Sequence, residues 1–426
     1  MRFAELWESL LPLGRSPAAG GYRRYSFTPA DAACRQWFMT TAAERGLRPG
    51  CDRNANLWAW WDPPAARPAL DGGAAGGPDG PGGWSPRPGT AVVTGSHLDS
   101  VPDGGAYDGA LGVVSGFAAI DLLAGRGFVP ARPVAVAAFC EEEGARFGAA
   151  CLGSRLLTGA ISPAAARELR DADGVSLAAA MTSAGLDPAG IGPGENLLAS
   201  IGAFVELHIE QGSALDGLGA AVGIAHGIWP HGRWRLDFAG RADHAGTTRL
   251  ADRRDPMLPY AAAVLAARQA AADHGALATF GKVTAEPGGV NAISSAVHAW
   301  LDARAPAEEV LHRVVDQVTG SARHAAAGQG VEFSTHRESF TPRVTFDEGL
   351  RGRLRNVLAA QGMPAPELGT GAGHDAGVLA GTVPAAMLFV RNPSGVSHSP
   401  AEHAAQEDCE AGVHALAAVI EELAAR

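Results

Sequence analysis

The sequence predicts an α/β protein in which a mostly parallel sheet with flanking helices is interrupted by an inserted α+β domain. Short apolar runs at residues 91–93 and 133–140 have the length of buried strands, and helical patterns alternate with them. After residue 216 the order changes to strand pairs separated by helices, which is typical of helices packed on an antiparallel sheet. A chain of 426 residues is also too long for one ordinary core, so two domains are expected.

The first domain is predicted to comprise residues 1–215 and 335–426. Thr28 and Pro29 give a helix start and Gly46 gives its end, while a further helix is predicted at 109–125 and a strand at 204–209. The pattern returns after residue 347 with a helix, a glycine-rich loop at 369–373, a strand at 385–390 and a terminal helix. Residues 62–90 are dominated by Pro, Gly and Ala, which predicts a flexible insertion.

The inserted domain is predicted to comprise residues 216–334 and to contain a four-stranded antiparallel sheet. Its pattern resembles a βαββαβ-type layer of helices on a sheet. The predicted strands are 221–228, 234–240, 279–286, 297–305 and 331–334, and the predicted helices are 256–272 and 306–326.

Composition and charge restrict the classes of partner. Hydrophobic residues make up 46% and charged residues 19% of the chain, which is typical of a soluble globular protein. The net charge of -11 argues against nucleic acid or an anionic membrane and favours a small molecule. No stretch offers the ~20 apolar residues of a membrane helix, and the N-terminus lacks the pattern of a signal peptide. Five scattered cysteines argue against a disulfide framework or a structural zinc site, and a cytoplasmic location is expected.

Ligand-type side chains follow the predicted strand at 91–93. His97 and Asp99 come at its end, and Asp108 precedes the next helix. Glycines at 104, 105 and 109 allow the backbone to fold closely around a small object. A lone His-x-Asp is usually an ordinary structural feature, so the prediction of a metal site depends on what other strand ends supply.

Three other strand ends carry the same residue types. Glu141, Glu142 and Glu143 follow the strand at 133–140, His208 ends the strand at 204–209, and His398 lies in the loop after the strand at 385–390. Each has an ordinary alternative as a solvated loop or a core histidine. The ends of parallel strands converge on one crevice, however, so a metal site is predicted there. Five ligand-type residues favour two cations, with a carboxylate such as Asp108 as the bridge, and one neighbouring glutamate can serve as ligand while another acts as base.

The motifs at 95–105 (Gly-Ser-His-Leu-Asp-Ser-Val-Pro-Asp-Gly-Gly), 142–147 (Glu-Glu-Gly-Ala-Arg-Phe) and 208–212 (His-Ile-Glu-Gln-Gly) resemble the dinuclear metallo-amidohydrolases that include acetylornithine deacetylase, aminoacylase and carboxypeptidase relatives. Within that family the chain, from about residue 21 onward, is most similar to the branch of N-carbamoyl-L-amino-acid hydrolases, β-ureidopropionase and allantoate amidohydrolase. The resemblance implies that His97 and His208 hold one cation, that Glu143 and His398 hold the other, and that Asp108 bridges them. It also implies that Asp99 orients His97 and that Glu142 is the general base.

The segment 240–248 resembles the family's lid motif, which implies a homodimer in which His244 reaches the partner subunit's site and polarises the scissile carbonyl. An ordinary loop histidine is the alternative for His244, and a plain strand-end charge is the alternative for Arg304. The chain departs from the motif at Arg249 and Leu250, where the branch usually has Pro-Met. The substrate-binding positions that the resemblance implies are Gln211, Asn291, Arg304, which suits a carboxylate, and His374, whose alternative is to cap the following helix together with Asp375.

The resemblance implies a metal-dependent hydrolase that cleaves a linear amide or ureido C–N bond of a small carboxylate substrate. Allantoate amidohydrolase is the first expectation, because residues 52–61 are similar to those of bacterial allantoate-type members. N-carbamoyl-L-amino-acid hydrolase or β-ureidopropionase is the alternative. An aminoacylase or peptidase, or a binding protein with a decayed site, is less favoured. Two divalent cations per chain are expected, zinc or manganese first, although cobalt and nickel suit the same His and carboxylate ligands.

Overall fold

The structure, a computed structural model, describes residues 3–64 and 86–425. It divides into two compact units. The first comprises Met1–His226, Thr345–Leu368 and Gly373–Arg426, and the second comprises Gly227–Val344 and Gly369–Ala372. Most of the predicted flexible insertion, residues 65–85, lies outside the described residues.

The strands of the described residues, in chain order, are β1 (Arg48–Cys51), β2 (Leu57–Trp61), β3 (Ala91–His97), β4 (Val134–Phe139), β5 (Ile201–Ile209), β6 (Val222–Ile228), β7 (His231–Ala239), β8 (Asp243–His244), β9 (Leu277–Glu286), β10 (Ala292–Ile293), β11 (Ala296–Arg304), β12 (Glu332–Thr341), β13 (Val344–Thr345), β14 (Glu367–Thr370) and β15 (Ala385–Val390). The α-helices are α1 (Phe3–Leu10), α2 (Pro29–Glu44), α3 (Ala110–Gly125), α4 (Leu152–Thr158), α5 (Pro163–Arg167), α6 (Leu177–Ser183), α7 (Glu195–Ser200), α8 (Ala214–Leu218), α9 (Met257–His274), α10 (Glu308–Gly328), α11 (Glu348–Ala360), α12 (Asp375–Leu379) and α13 (Gln406–Ala424). Among the described residues, none of these helices is long and apolar enough to cross a bilayer.

The large sheet has the strand order β1-β2-β4-β3-β5-β15-β6-β13, with β14 paired to β6. Its centre is parallel, because β3 runs parallel to both β4 and β5, and β15 runs parallel to β5. The strands β1, β2 and β6 add antiparallel neighbours. The predicted mostly parallel α/β sheet is therefore confirmed.

The parallel centre brings the predicted strand ends to one edge. Every residue of β3, β4 and β15 is buried, as expected for strands covered on both faces. Helix α3 packs closely on this sheet at Gly112, where a Cβ atom would lie 2.2 Å from the Leu207 carbonyl oxygen. A glycine is needed at this contact because any side chain would push the helix away from β5.

The second unit contains a four-stranded antiparallel sheet of order β12-β7-β11-β9. Its elements follow one another as β7, α9, β9, β11, α10 and β12, which confirms the predicted antiparallel sheet with helices. Burial alternates along β11, and the buried face of the sheet packs on α9 and α10. Leu236 of β7 and Val318 of α10 lie in the core between them.

One predicted strand of the inserted domain lies elsewhere. Residues 221–228 were predicted as a strand of the inserted domain, but β6 pairs with β15 of the large sheet, where Val222 lies opposite Val390. The burial pattern gives the physical reason. Strand β6 is buried along almost its whole length, as in a sheet covered on both faces, whereas β7 alternates. The predicted final strand at 331–334 extends to Thr341.

Candidate active site

His97 ends β3 and is almost fully buried. Its Nδ1 atom lies 3.1 Å from the backbone oxygen of Asp99, and its Nε2 atom lies 3.4 Å from Oδ1 of Asp108. The backbone directly after Asp108 folds against the imidazole at Gly109, where a Cβ atom would lie 2.4 Å from the ring. Gly109 also has a φ of 67°, so the close approach and the backbone conformation both require glycine.

Asp108 lies between two groups of ligand-type atoms. Its Oδ1 atom is 3.1 Å from Nε2 of His208, and its Oδ2 atom is 3.5 Å from Nε2 of His398. Nε2 of His398 is in turn 3.6 Å from Oε2 of Glu143. Asp108 belongs to two sets of three donors whose atoms lie within 4.8 Å of one another: His97, Asp108 and His208 in one, and Asp108, Glu143 and His398 in the other. A third group of this kind, formed by Glu206, His208 and His374, does not include Asp108.

The hydrogen bonds of His208 favour a cation at its Nε2 atom. Nδ1 lies 2.8 Å from the Ile209 carbonyl oxygen, which can only accept, so Nδ1 carries a proton. In the neutral ring, Nε2 then presents a lone pair, which accepts the Gly109 N–H at 3.2 Å, a hydrogen bond that a cation at Nε2 would replace. A lone pair that faces the Asp108 carboxylate is repelled unless a proton or a metal ion lies between the two atoms. The donor chemistry of this set therefore fits a divalent cation.

Asp99 holds the glutamate loop. Its Oδ1 atom accepts the Glu142 N–H at 3.1 Å and its Oδ2 atom accepts the Glu143 N–H at 3.0 Å. Glu141, for which no role was predicted, is buried with a φ of 55°, and its Oε1 atom accepts the N–H groups of Arg146 and Phe147. These contacts fix the backbone from which Glu142 and Glu143 extend.

The two glutamates differ in their contacts. Glu143 belongs to the set with His398, and its Oε1 atom is buried without a hydrogen-bond partner among the described residues. Glu142 lies in neither set. Its Oε2 atom is 3.6 Å from Nε2 of His97, and its Oε1 atom accepts the Cys151 thiol at 3.2 Å. Cys151 carried no motif by which the sequence could have marked it.

Burial and mutual repulsion shape the electrostatics of the cluster. Burial, together with the Asp108 charge, raises the pKa of Glu143 to about 8. Burial raises the pKa of Glu142 well above its usual range, although the nearby His97 opposes this. Burial would also raise the pKa of Asp108, but the adjoining His208 and His97 side chains, when they carry a proton towards it, lower that pKa well below its usual range. Closely packed buried carboxylates of this kind are stabilised by bound protons or by a cation, which supports the fit to divalent metal.

Two predicted substrate-binding residues lie beside these sets. The Gln211 amide donates to Oδ2 of Asp108 at 2.9 Å and to Oγ of Ser397 at 3.2 Å. The His374 ring lies 4.5 Å from the His208 ring, and its Nε2 atom is buried without a hydrogen-bond partner among the described residues. His374 occupies the N-cap position of α12, but its side chain makes no capping hydrogen bond.

The other predicted residues lie in the second unit. His244 in β8 pairs with Ala292 in β10, and the Ala245 N–H donates to the Asn291 carbonyl oxygen at 3.0 Å, so His244 and Asn291 are neighbours. Arg304 ends β11, where its guanidinium donates to Asp302 at 2.8 Å and to the Gly371 carbonyl oxygen at 2.7 Å. Arg249, the departure from the lid motif, is exposed and pairs with Asp252 at 2.6 Å.

A family model described as peptidase family M20/M25/M40 matches residues 93–422. The chain belongs to this family. Over 422 residues it is 36% identical to the N-carbamoyl-L-amino acid amidohydrolase of Geobacillus stearothermophilus, covering 98% of both chains. It is 35% identical to the allantoate amidohydrolase of Bacillus subtilis, covering 79% of this chain and 82% of the relative. A solved amidase of the hydantoinase/carbamoylase family from Burkholderia multivorans superposes with a TM-score of 0.82 at 28% identity, covering 100% of this chain and 98% of the other.

These matches confirm the predicted resemblance and enzyme class. The M20/M25/M40 chain is a hydrolase of the amidohydrolase branch, and its described residues include groups that could hold metal ions. Relatives named for two different substrates match at nearly the same identity, so the matches leave the choice between those substrates open.

Proposed function

We propose that the chain hydrolyses the C–N bond of a linear ureido or amide group in a small carboxylate substrate, with two divalent cations as cofactors. The observation that carries the proposal is the pair of donor sets that share Asp108 through different oxygens. A buried carboxylate outside both sets, that of Glu142, adjoins them.

His97, His208 and Asp108 would hold one cation, and Glu143, His398 and Asp108 would hold the other. Two such cations, when bound, lower the pKa of a water molecule and polarise a carbonyl group. Zinc and manganese are the first candidates, and cobalt or nickel also suits imidazole and carboxylate ligands.

Glu142 is the proton carrier of the proposed reaction. Its carboxylate takes a proton from the attacking water and later delivers it to the leaving nitrogen. Glu142 is buried next to the two donor sets, so its carboxylate lies where it can pass a proton to and from a molecule bound there. The Cys151 thiol occupies one carboxylate oxygen and leaves the other directed towards His97.

The remaining roles belong to recognition. Arg304 is proposed to bind the substrate carboxylate through its planar guanidinium, while Gln211, Asn291 and His374 line the substrate. In a homodimer formed through the second unit, His244 is proposed to stabilise the oxyanion in the partner subunit's site.

Exposed apolar side chains support the proposed homodimer. Leu258 and Leu265 on α9 are 51% and 73% exposed, and their spacing of seven residues places them on one face of the helix. A single-chain mass in sedimentation equilibrium at micromolar protein would contradict the dimer.

Allantoate and N-carbamoyl-L-amino acids both fit the proposed substrate class, and the relatives are named for both. Both carry a ureido group and a carboxylate. Allantoate stays the first candidate because residues 52–61 are similar to those of bacterial allantoate-type members. N-carbamoyl-L-amino acids are the second candidate, supported by the match to the Geobacillus relative over 98% of both chains.

A substrate panel tests the function. Metal-free protein is reconstituted separately with zinc, manganese, cobalt or nickel and is assayed for ammonia release from allantoate and several N-carbamoyl-L-amino acids. N-acetyl amino acids are assayed by release of the free amine. We expect turnover of a ureido substrate at least about 100-fold above that of the matched N-acetyl compound. A site that forms hydrogen bonds with the terminal NH₂ of the ureido group discriminates against an analogue that has a methyl group there. Comparable or faster turnover of N-acetyl compounds would favour an aminoacylase, and no turnover with any metal would favour a decayed site.

Arg304→Lys tests the carboxylate contact. Lysine keeps the charge but loses the bidentate fork, so we expect KM for the ureido substrate to rise about tenfold with kcat changed less than about threefold. The methyl ester of the same substrate, which lacks the carboxylate, serves as the comparison. An equal change in KM for acid and ester would assign Arg304 a purely structural role, through Asp302 and Gly371.

A further inference from the structure

Glu402 ties together two loops of the first unit. Its side chain is buried, and its Oε1 atom accepts the N–H groups of Tyr107 at 3.0 Å and Asp108 at 2.9 Å. Its Oε2 atom accepts the hydroxyl of Ser397 at 3.3 Å. One carboxylate thus joins the loop that carries Asp108 to the loop that carries His398.

The Asp108 loop is shaped to receive this side chain. A Cβ atom at Gly105 would lie 2.4 Å from Oε1 of Glu402, and 2.5 Å from its Cβ atom. The absence of a side chain at Gly105 therefore lets the Glu402 carboxylate reach the two N–H groups. Both N–H groups donate to the same oxygen, so this contact fixes the backbone at residues 107 and 108.

His398 needs such a support more than the other histidines. Its side chain is 51% exposed and its φ is 54°, whereas His97 and His208 lie at buried strand ends. Among the described residues, its ring contacts Asp108, Glu143 and Gln211, all through Nε2. The distance between His398 and Asp108 therefore depends on how the two loops are joined.

We propose that Glu402 is a positioning residue for the cation assigned to Asp108, Glu143 and His398. It acts through hydrogen bonds that fix the Asp108 backbone and the Ser397 hydroxyl, and it does not itself bind the cation. The other cation set depends on Glu402 less, because His97 and His208 are held by the sheet. The inference rests on the proposed two-cation function.

The test measures cation binding and does not require substrate. Metal-free protein is titrated with zinc and with manganese by calorimetry, for the wild type, Glu402→Ala and Glu402→Gln. We expect Glu402→Ala to weaken the affinity for the second cation, the one assigned to Asp108, Glu143 and His398, by about 10- to 100-fold, the range found when residues that support ligands are removed. The affinity for the first cation is expected to change by less than about threefold. Glu402→Gln keeps an oxygen that accepts both N–H groups, and its amide donates to Ser397, so binding within about threefold of the wild type is expected.

A matched control is Glu407→Ala, which makes the same substitution at an exposed glutamate in the first turn of α13. Should Glu402→Ala not fold, Glu402→Asp provides the second test, because it keeps the charge but is too short to reach both loops. The affinity of Glu402→Asp for the second cation is expected to fall to a similar extent.

Three outcomes overturn the inference. Wild-type affinity for both cations in Glu402→Ala, or in Glu402→Asp where that variant is used, removes the positioning role. A Glu402→Gln protein as weak as Glu402→Ala assigns the effect to charge and contradicts the hydrogen-bond mechanism. A wild-type protein that binds fewer than two cations overturns the proposed two-cation function itself, and the first two outcomes are distinguishable from it because they require two cations in the wild type.

Discussion

Replacing Glu142 with glutamine is expected to lower kcat by about three orders of magnitude while both cations remain bound. Glutamine has the size of glutamate and can still accept the Cys151 thiol, but it cannot take a proton from water at neutral pH. Since Glu142 belongs to neither donor set, cation binding has no direct need of it. The expected loss lies within the range that general acid–base catalysis contributes.

The measurement combines steady-state kinetics with metal analysis of the same sample. Glu195→Gln, at an exposed glutamate in the first turn of α7, is the matched control and is expected to behave as the wild type. A Glu142→Gln protein that loses a cation would make Glu142 a ligand. One that retains both cations and most of its turnover would remove Glu142 from proton transfer.

The strand ends made much of the site predictable from sequence. His97 and His208 end apolar runs, and parallel strands place such ends at one edge, so their proximity to Asp108 follows from local pattern and topology. The same reasoning predicted the helices and the small antiparallel sheet. It could not separate Glu142 from Glu143, because neighbours in a loop have no periodicity. That distinction came from the family resemblance.

What remained hidden depends on contacts between distant segments. Glu402 meets Asp108 across 294 positions of sequence, and no local pattern encodes that meeting. Glu206 left a weak signal, because it is a carboxylate in a buried strand whose only other polar side chain is that of His208. In the structure it accepts the Ser96 hydroxyl at 2.7 Å and the Ala376 N–H at 2.8 Å. The misplaced strand β6 has a similar cause, since strand pairing is decided by which faces become covered.

Replacing Asp108 with alanine is expected to abolish binding of both cations at micromolar metal and to lower kcat by about four orders of magnitude. Asp108 is the residue that the two donor sets share, with Oδ1 directed to His208 and Oδ2 to His398. Glu143→Ala removes a donor from one set alone, so that variant is expected to retain one cation. The contrast between the two variants tests the sharing itself.

Metal analysis after reconstitution and dialysis measures this contrast, and circular dichroism checks that each variant is folded. Asp173→Ala, at an exposed aspartate, is the control and is expected to keep both cations. If Asp108→Ala and Glu143→Ala each retained one cation, Asp108 would serve a single set, and the two sites would be independent. If Asp108→Ala lost both while Glu143→Ala kept one, the carboxylate would couple the sites. The geometry is consistent with this role, because each of the two Asp108 oxygens lies beside a histidine of a different set.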